Sequence, residues 1–595
     1  MKLIVESYLQ ELDERPELEN LVVSLLEKMG LNVYVVPQKG PRQYGVDVAA
    51  VGIWPGDTCE AVHLLTIKAG DIKRQNWDSG GLEDVRPSLN EIEDVYLTQK
   101  IRPQDKGKQV KVYICCGGRV RQEIDGNVTA FMDAMMKRHE HDNLAVSILD
   151  GPLLTSLLLQ YWFDERVFVS GDQSLLKRCL STIDEPDLTV RYFLEFLPSV
   201  LREENNSGKP LSTPQKMDCV CRLLLCLGVL VQHALSVKHL EGVFRIVERS
   251  VIHVLGYLRL DSTRSERAVR QAFSAISLYD RIAFSYLKNL EKLSGKQYLF
   301  TLAVGGNEVD VNLCFFNVLA RMAEYGIFLL GYYRHAEEVG LTKDNKDLEN
   351  DFCNRIIRVA DCLCGLINNN TVARQPLKDS QHYAIMMTLL FLRGVNRINF
   401  AHDWALTIVN TIENMFDVNK GYPTVSLSYE DLLEHVEKPL SNEKQKQALR
   451  SGELYPSMAL LAVSYKWDDV YDAIQRLVQT HMPNMSLQLW FMDEEDMQNL
   501  CKLHGLNGHQ LCNISLADKE QFAKIVKLEC EASKVKMTFM ASFFPSFFFV
   551  ACRLNAVPVP ASVWLFRDDD VEKAACHPLD ASVGDSSDSL EQNEK

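Results

Sequence analysis

Two charged residues interrupt neighbouring apolar runs near the start of the chain. Asp47 follows Tyr-Gly-Val at the beginning of the run VDVAAVGI, and Lys68 ends the run AVHLLTIK. A carboxylate and a lysine suit phosphodiester cleavage, because the carboxylate can hold Mg²⁺ and the lysine can stabilise the negative charge that develops on the phosphate. The two residues therefore form a candidate catalytic pair, provided that the two runs are neighbouring strands.

Strand geometry determines which of these side chains can meet. Successive residues of a strand point to opposite faces, so Thr66 and Lys68 are expected on one face. If the two runs pair as a hairpin-like unit, Asp47 approaches Lys68. Upstream, Glu19 lies in PELENLVVSLLEKMG, whose apolar residues recur every three or four positions. This spacing predicts an amphipathic helix that ends before Gly30.

The wider pattern predicts an α/β domain followed by a large all-α region. Short β-rich runs alternate with helical patterns through residues 1–165, which is typical of a central sheet covered by helices. Long helical patterns then fill residues 166–420 and 421–566, with the polar break VNKGYPT near 420 as the expected border of a second helical subdomain. Residues 567–595 are acidic and poor in large apolar residues, which predicts a disordered tail.

Composition favours a cytoplasmic protein of several domains. The chain has 595 residues and 16 cysteines, and none of the cysteines forms a C-x-x-C pair. Buried thiols in a reducing compartment fit this pattern better than a disulfide framework. The start of the chain has no apolar leader, and the run LLLCLGVLV is too short to cross a bilayer. We therefore expect no membrane association.

Basic residues are concentrated locally although the net charge is −16. Residues 100–121 hold seven basic residues and one acid, and two further basic residues follow the strand that ends at Lys68. A phosphate-contacting edge and a solvated loop both explain such a run. As candidate DNA contacts we take Lys73, Arg74, Lys106, Lys108, Arg119 and Arg121.

The order of these motifs resembles the Mrr-like branch of the PD-(D/E)xK restriction-endonuclease superfamily. The resemblance rests on ELENLVVSLLEKMGLNV with Glu19, on G-x-D at 45–47, on the strand end T-I-K at 66–68, on a strand at 111–116 and on AVSILDGPLLTSLL at 145–158. It covers residues 8–162. It implies a restriction-endonuclease-like fold and a nuclease that uses Mg²⁺ or Mn²⁺.

The resemblance also implies a role for each matching residue. Asp47 would bind the metal, Lys68 would be the catalytic lysine, and Glu19 would be a supporting acid and metal ligand. The family carries Asp, Glu or Gln two residues before the lysine, whereas this chain carries Thr66. Either Asp47, Glu19 and the substrate phosphate hold the metal, or Asp71 or Glu60 supplies the missing acid, or the site is inactive.

Two functions follow from the sequence. The first is a metal-dependent nuclease, most simply acting on DNA, fused to a helical region that senses, binds a protein partner or self-associates. Similar fusions imply a bacterial effector of defence against phage. The alternative is a nuclease-like domain without activity, in a scaffold protein that works through its helical region.

Overall fold

The computed structural model describes residues 2–37, 43–81, 83–139, 143–162, 172–204, 208–258, 265–338, 346–492, 499–500, 509–532 and 545–561. The chain forms two compact units. The first comprises Met1–Val247 and Thr263–Ile282, and the second comprises Glu248–Ser262 and Ala283–Lys595. The predicted acidic tail, residues 567–595, lies outside the described residues.

A five-stranded mixed sheet is the centre of the first unit. Its strands are β1 (Asn32–Val35), β2 (Val48–Gly52), β3 (Ala61–Lys68), β4 (Gln109–Cys116) and β5 (Leu144–Leu149), hydrogen-bonded in that order. The pairs β1–β2 and β2–β3 are antiparallel, whereas β3–β4 and β4–β5 are parallel. This arrangement agrees with the α/β structure predicted for the first part of the chain.

Both faces of the sheet are covered, which explains the nearly continuous apolar run of β3. All eight residues of β3 are buried. One face carries Val62 and Leu64, which pack with Trp77, Leu89 and other residues of the following helices. Strands buried on both faces lose the alternation of apolar and polar residues that marks a half-exposed strand. A charged residue in β3 is therefore an exception that needs a partner.

Helices and helical turns surround this sheet. The α-helices are α1 (Lys2–Glu11), α2 (Glu19–Lys28), α3 (Arg74–Trp77), α4 (Val85–Glu91), α5 (Gln122–Arg138), α6 (Gly151–Trp162), α7 (Asp172–Ser181), α8 (Pro186–Val200) and α9 (Thr213–Val237). π-Helical turns span Glu14–Leu18 and Ile92–Lys100, and a 3₁₀ turn spans Pro103–Asp105. The helices α10 (Glu241–Leu258) and α11 (Glu266–Ser294) contribute residues to both units.

The first unit continues past residue 165, where the sequence analysis expects a domain boundary. Helix α9 packs on α1, and a Cβ on Gly228 would lie 2.5 Å from the Tyr8 ring. The Lys28 Nζ also lies 2.7 Å from the Asp218 Oδ2. Close packing and an ion pair thus join helices before and after the sheet within one compact unit.

The second unit is mainly helical. Its remaining helices are α12 (Leu299–Val304), α13 (Glu308–Glu338), α14 (Lys346–Asn369), α15 (His382–Gly394), α16 (Ile398–Asp417), α17 (Tyr429–Glu437), α18 (Asn442–Ala448), α19 (Leu454–Tyr465), α20 (Asp468–His481), α21 (Lys519–Ala532) and α22 (Pro545–Leu554), with 3₁₀ turns at Thr371–Arg374 and Asp379–Gln381. The long helix α13 packs against α14, α15 and α22.

Two details differ from the predicted all-α region with a border near 420. Strand β6 (Ser451–Gly452) pairs with β7 (Ser486–Leu487), and β8 (Leu489–Phe491) pairs with β9 (His509–Leu511). The Tyr422 ring stacks on Phe416 with 4.2 Å between centroids, so the core continues across residue 420. The region from 283 onward is therefore one compact unit that includes two short β ladders.

Among the helices of the described ranges, two are long and apolar enough to cross a membrane by length and composition. They are Thr213–Val237 and Glu308–Glu338, and 72% of the apolar window of each is buried inside the protein. Such burial is typical of core helices. It favours the interpretation of LLLCLGVLV as part of a buried helix.

Candidate functional site

Asp47 is fixed at the start of β2 by contacts with β3. Its backbone N–H donates to the Leu65 carbonyl at 2.9 Å, and its Oδ2 accepts from the Ile67 N–H at 2.7 Å. Asp47 directly precedes β2, whose first residue, Val48, lies opposite Leu65 of β3. The two hydrogen bonds therefore hold Asp47 against the last residues of β3.

Gly45 of the G-x-D motif permits this placement. Its φ is +78°, a conformation that glycine adopts without the steric cost borne by other residues. A Cβ at this position would lie 2.1 Å from the Ser88 carbonyl oxygen. The turn that delivers Asp47 to the sheet thus requires glycine both for backbone conformation and for the close approach of α4.

Lys68 ends β3 on the face that carries Thr66. Its side chain is 10% exposed, and its Nζ lies 2.9 Å from the Glu14 Oε1. Thr66 is 1% exposed and Asp47 is 8% exposed. Asp47, Thr66 and Lys68 thus lie at the same end of the sheet, with the Asp47 carboxylate bonded to the residue between Thr66 and Lys68.

Glu14, which the sequence analysis did not single out, is the acid that contacts Lys68. It begins the π-helical turn Glu14–Leu18, whereas Glu19 begins the adjoining helix α2. Glu19 is buried, with 4% of its surface exposed. Both acids lie in the short segment ERPELE, so its acid density was the signal available in the sequence. The periodicity of α2 favoured Glu19, and only the fold shows which acid reaches the lysine.

The two alternative acids, Asp71 and Glu60, both pair with basic residues. The Asp71 Oδ1 accepts from the Arg119 N–H at 2.9 Å, and its Oδ2 lies 2.5 Å from the Arg121 Nη2. Glu60 directly precedes β3 and pairs with Lys108 at 2.9 Å. Glu60 therefore lies at the opposite end of β3 from Lys68. Seven residue steps of extended strand, about 23 Å, separate the two ends.

The predicted DNA contacts fall into two groups. Arg119 and Arg121 follow β4, and a β-bridge between Ile72 and Val120 brings them beside the segment of Lys73 and Arg74. These four residues are exposed and lie at the end of the sheet where Lys68 lies. Lys106 and Lys108 precede β4 and lie at the opposite end. The basic run 100–121 passes through β4, so its two groups lie at opposite ends of the sheet. Because β3 and β4 are parallel, the group that follows β4 is the one near Lys68.

A groove follows the ends of the parallel strands near Lys68. It encloses about 800 Å³ and is lined by residues from the loops after β3, β4 and β5, including Asp71, Arg119, Arg121 and Asp150. Gly117 and Gly151 allow these loops to pack closely, since a Cβ on Gly151 would lie 2.4 Å from the Gly117 carbonyl oxygen. The groove mixes both signs of charge.

The thiols at the end of β4 are protonated at neutral pH. Burial raises the pKa of Cys115 well above its usual value, and the neighbouring Cys116 and Asp47 raise it further. Burial likewise raises the pKa of Cys116 to about 12. A thiol nucleophile needs the thiolate form. Neither thiol is therefore a candidate nucleophile at neutral pH.

Metal ligands are sparse around Asp47. Magnesium retains several waters and uses one or two protein carboxylates together with substrate phosphates, so a single carboxylate is the minimum donor set. Within the described part of the chain, the one group of three His, Cys, Asp or Glu side chains close enough to share an ion is Asp379, His382 and Glu453, in the second unit. This group could hold a metal ion.

Comparison with known proteins gives no match for this chain. No family model matches it, and no match is found among the curated proteins or the solved structures.

Proposed function

We propose that the first unit is a restriction-endonuclease-like, metal-dependent phosphodiester hydrolase that acts on DNA. The observation that supports this proposal is that Asp47 and Lys68, two buried charged residues, lie at the same end of a mixed sheet, where the Asp47 carboxylate bonds to the residue before Lys68. Two charges in buried strand positions are costly unless they are paired or used. The pairing of Lys68 with Glu14 and the anchoring of Asp47 on the Ile67 N–H keep both charges in place.

Each side chain has a distinct role in this proposal. The Asp47 carboxylate holds Mg²⁺ or Mn²⁺, with Glu19 as a supporting acid, while the Ile67 N–H fixes its orientation. The Lys68 ammonium donates to a non-bridging phosphate oxygen and stabilises the charge that develops there. Glu14 holds the Lys68 ammonium in position until the phosphate arrives. When bound, the metal polarises the phosphate and lowers the pKa of the attacking water.

Exposed basic residues at the same end of the sheet support a nucleic-acid partner. Arg119 and Arg121 line the groove, and Lys73 and Arg74 are exposed on the neighbouring segment. All four can contact phosphates, and such contacts position the strand without reading its sequence. The helical second unit would bind a protein partner or self-associate and restrain the nuclease until a trigger arrives, as in an anti-phage defence effector.

Cleavage of supercoiled plasmid with Mg²⁺ or Mn²⁺ tests this proposal. Lys68→Met and Asp47→Asn should each lower the rate by about 100-fold or more, the usual effect of removing a group that stabilises transition-state charge. Lys111→Met is the matched control, because Lys111 is also a half-buried sheet lysine with an ion pair, to Asp57 at 2.7 Å, but lies near the other end of β4. Equal rates for Lys68→Met and Lys111→Met would refute the assignment of Lys68.

A second candidate is a nuclease-like domain that has lost activity and serves as an interaction module. The buried Thr66 favours it, because a hydroxyl replaces the acid that the family carries and adds no charge to hold a cation. This candidate predicts no cleavage of duplex, single-stranded DNA or RNA with either metal. It also predicts that Lys68→Met does not change assembly through the helical unit. Light scattering after gel filtration measures the mass of the assembly.

A further inference from the structure

A polar cavity of about 450 Å³ lies in the second unit, where the 3₁₀ turn before α15 meets the start of α19. Asp379, His382 and Glu453 line it, and one ligand atom from each lies within 4.8 Å of the others. Asp379 and His382 are three residues apart, and Glu453 immediately precedes α19. The fold thus brings the carboxylate of the distant Glu453 to the same cavity as the Asp379 carboxylate and the His382 imidazole.

Each of the three side chains is held by a further hydrogen bond. The Asp379 carboxylate accepts from the backbone N–H groups of Glu453 at 3.0 Å and Leu454 at 3.1 Å. The Glu453 Oε1 accepts from the Gln510 Nε2 at 3.3 Å. The His382 Nδ1 lies 2.9 Å from the Asp379 carbonyl oxygen. Metal ligands in proteins are held by outer partners of this kind.

The imidazole of His382 supplies the observation that points to a ligand. A carbonyl oxygen can only accept, so its contact with Nδ1 places a proton on that nitrogen and leaves Nε2 as the ring atom that a ligand could contact. The His382 residue lines the cavity and is 5% exposed, and its Nε2 has no hydrogen-bond partner. The Glu453 Oε2 lies 3.8 Å from Nε2, too far for a hydrogen bond. A buried polar atom without a partner is uncommon and calls for an explanation.

Two largely buried carboxylates lie at the same cavity as this nitrogen. Asp379 is 7% exposed, and the Glu453 side chain is 18% exposed. Negative charge in a site with little water is costly. A dication between the two carboxylates and the Nε2 lone pair would remove that cost and satisfy the unpartnered nitrogen together.

We propose that Asp379, His382 and Glu453 bind one divalent transition-metal ion, such as Mn²⁺ or Zn²⁺. The nitrogen ligand favours this class over Mg²⁺ and Ca²⁺, which prefer oxygen ligands alone. Three protein ligands leave coordination positions open toward the cavity, as in catalytic rather than closed structural sites. This site does not depend on the proposed nuclease activity, because it shares no residue with Asp47 and Lys68.

Manganese binding to the chelator-stripped, full-length protein tests the proposal. The measurement uses Asp47→Asn as the background, so that the proposed nuclease site does not contribute, and electron paramagnetic resonance reports free Mn²⁺. We expect one ion per chain and at least about 100-fold weaker binding in His382→Gln and in Glu453→Gln, since loss of an outer partner alone costs 10- to 100-fold. Zn²⁺ should displace Mn²⁺.

A matched control and a second readout separate binding from folding. His402→Gln removes a histidine that bonds to Asp403 and Asp469 in the same unit, and it should leave Mn²⁺ affinity unchanged. In the Asp47→Asn protein, bound Mn²⁺ should show electron–nuclear coupling to nitrogen that His382→Gln abolishes. Absence of nitrogen coupling in that protein, or equal affinity in His382→Gln and His402→Gln, would overturn the proposal. Loss of cleavage in Lys68→Met would be unaffected by either outcome.

Discussion

Replacing Arg553 with methionine should destabilise the helical second unit far more than replacing an exposed arginine of the same unit with methionine. The Arg553 Nη2 lies 2.7 Å from the Glu248 Oε1 and 2.8 Å from the Glu324 Oε2, and both carboxylates are fully buried. Glu248 keeps a second cation, because the Arg321 Nε lies 3.4 Å from its Oε2. Among the described residues, the partner that remains on Glu324 is the Tyr383 hydroxyl, which donates at 2.6 Å. Within this part of the chain, Arg553→Met therefore leaves Glu324 as a buried carboxylate without a cation.

The expected loss follows from this burial. Removing one partner of a buried ion pair costs about 3–5 kcal/mol, because the remaining charge stays desolvated. The matched control is Arg476→Met, which breaks a pair with Glu413 whose side chains are 57% and 25% exposed. Exposed pairs contribute about 0–1 kcal/mol. The two variants should therefore differ by about 3 kcal/mol, a factor of roughly 100 in the equilibrium constant for opening.

The loss in Arg553→Met should shrink as the pH falls. Burial raises the pKa of Glu324 above its usual value, and Arg553 opposes that rise. Without the arginine the folded-state pKa of Glu324 rises further above the unfolded value, so folding takes up a proton. The penalty is complete above the folded-state pKa and disappears as the pH falls toward the unfolded-state value of about 4.3. The control variant should show no such trend.

Amide hydrogen exchange along α13 measures this effect, because Glu324 lies within that helix and exchange reports local opening free energies. Helix α5 of the first unit serves as an internal reference. Adding Glu324→Gln to Arg553→Met removes the unpaired charge and should restore part of the protection. If α13 protection in Arg553→Met lies within about 0.5 kcal/mol of Arg476→Met at pH 7, the reasoning about a buried carboxylate is wrong.

Three further predictions concern the turn before Asp47, a surface histidine and the proposed metal site. Gly45→Ala should lower the free energy of unfolding of the first unit by well over about 2 kcal/mol, because the backbone must move away from Ser88. Gly56 has φ +95° with open space around it, so Gly56→Ala should cost about 1 kcal/mol. Urea denaturation compares the two variants, and equal losses would contradict the close approach of Gly45 to Ser88. Hydrogen bonds to Asp469 and Asp403 raise the pKa of His402. His402→Gln should therefore lower the melting temperature at about pH 5.5, below the unfolded-state pKa, and the difference from the parent protein should disappear as the pH rises through the folded-state pKa. A decrease in melting temperature that does not depend on pH would contradict this prediction. In the Asp47→Asn protein, Mn²⁺ at about 100 times its Kd should stabilise the second unit by about 2.7 kcal/mol. Calorimetry measures the resulting shift of the unfolding transition. If the shift persists when Glu453→Gln is added, Glu453 is not a ligand of the metal.

Several features of this fold and site were predictable because they depend on local backbone geometry. Strand alternation alone puts Thr66 and Lys68 on one face, and an apolar period of three to four residues marks α2 as a helix. The alternation of strand and helix patterns likewise predicted an α/β structure for the first part of the chain. Gly45 is also readable in sequence as a turn residue, although its contact with Ser88 is not.

Other features depended on how distant segments cross, which no local pattern encodes. The pairing of Lys68 with Glu14 rather than Glu19 depends on where the π-helical turn lies over the end of β3. The separation of Lys106 and Lys108 from Lys68 depends on the parallel direction of β4.

The second unit shows the same limit over longer distances. In the sequence, Arg553 marks the end of an apolar segment, but the fold places it between two buried glutamates, one of them 305 residues away. Asp379 and His382 meet Glu453 only because a 3₁₀ turn and the start of α19 close one cavity. Periodicity determined the elements and the faces of their side chains. Tertiary packing decided which charges share a site, because that choice depends on the energy of burial and pairing among segments far apart in the chain.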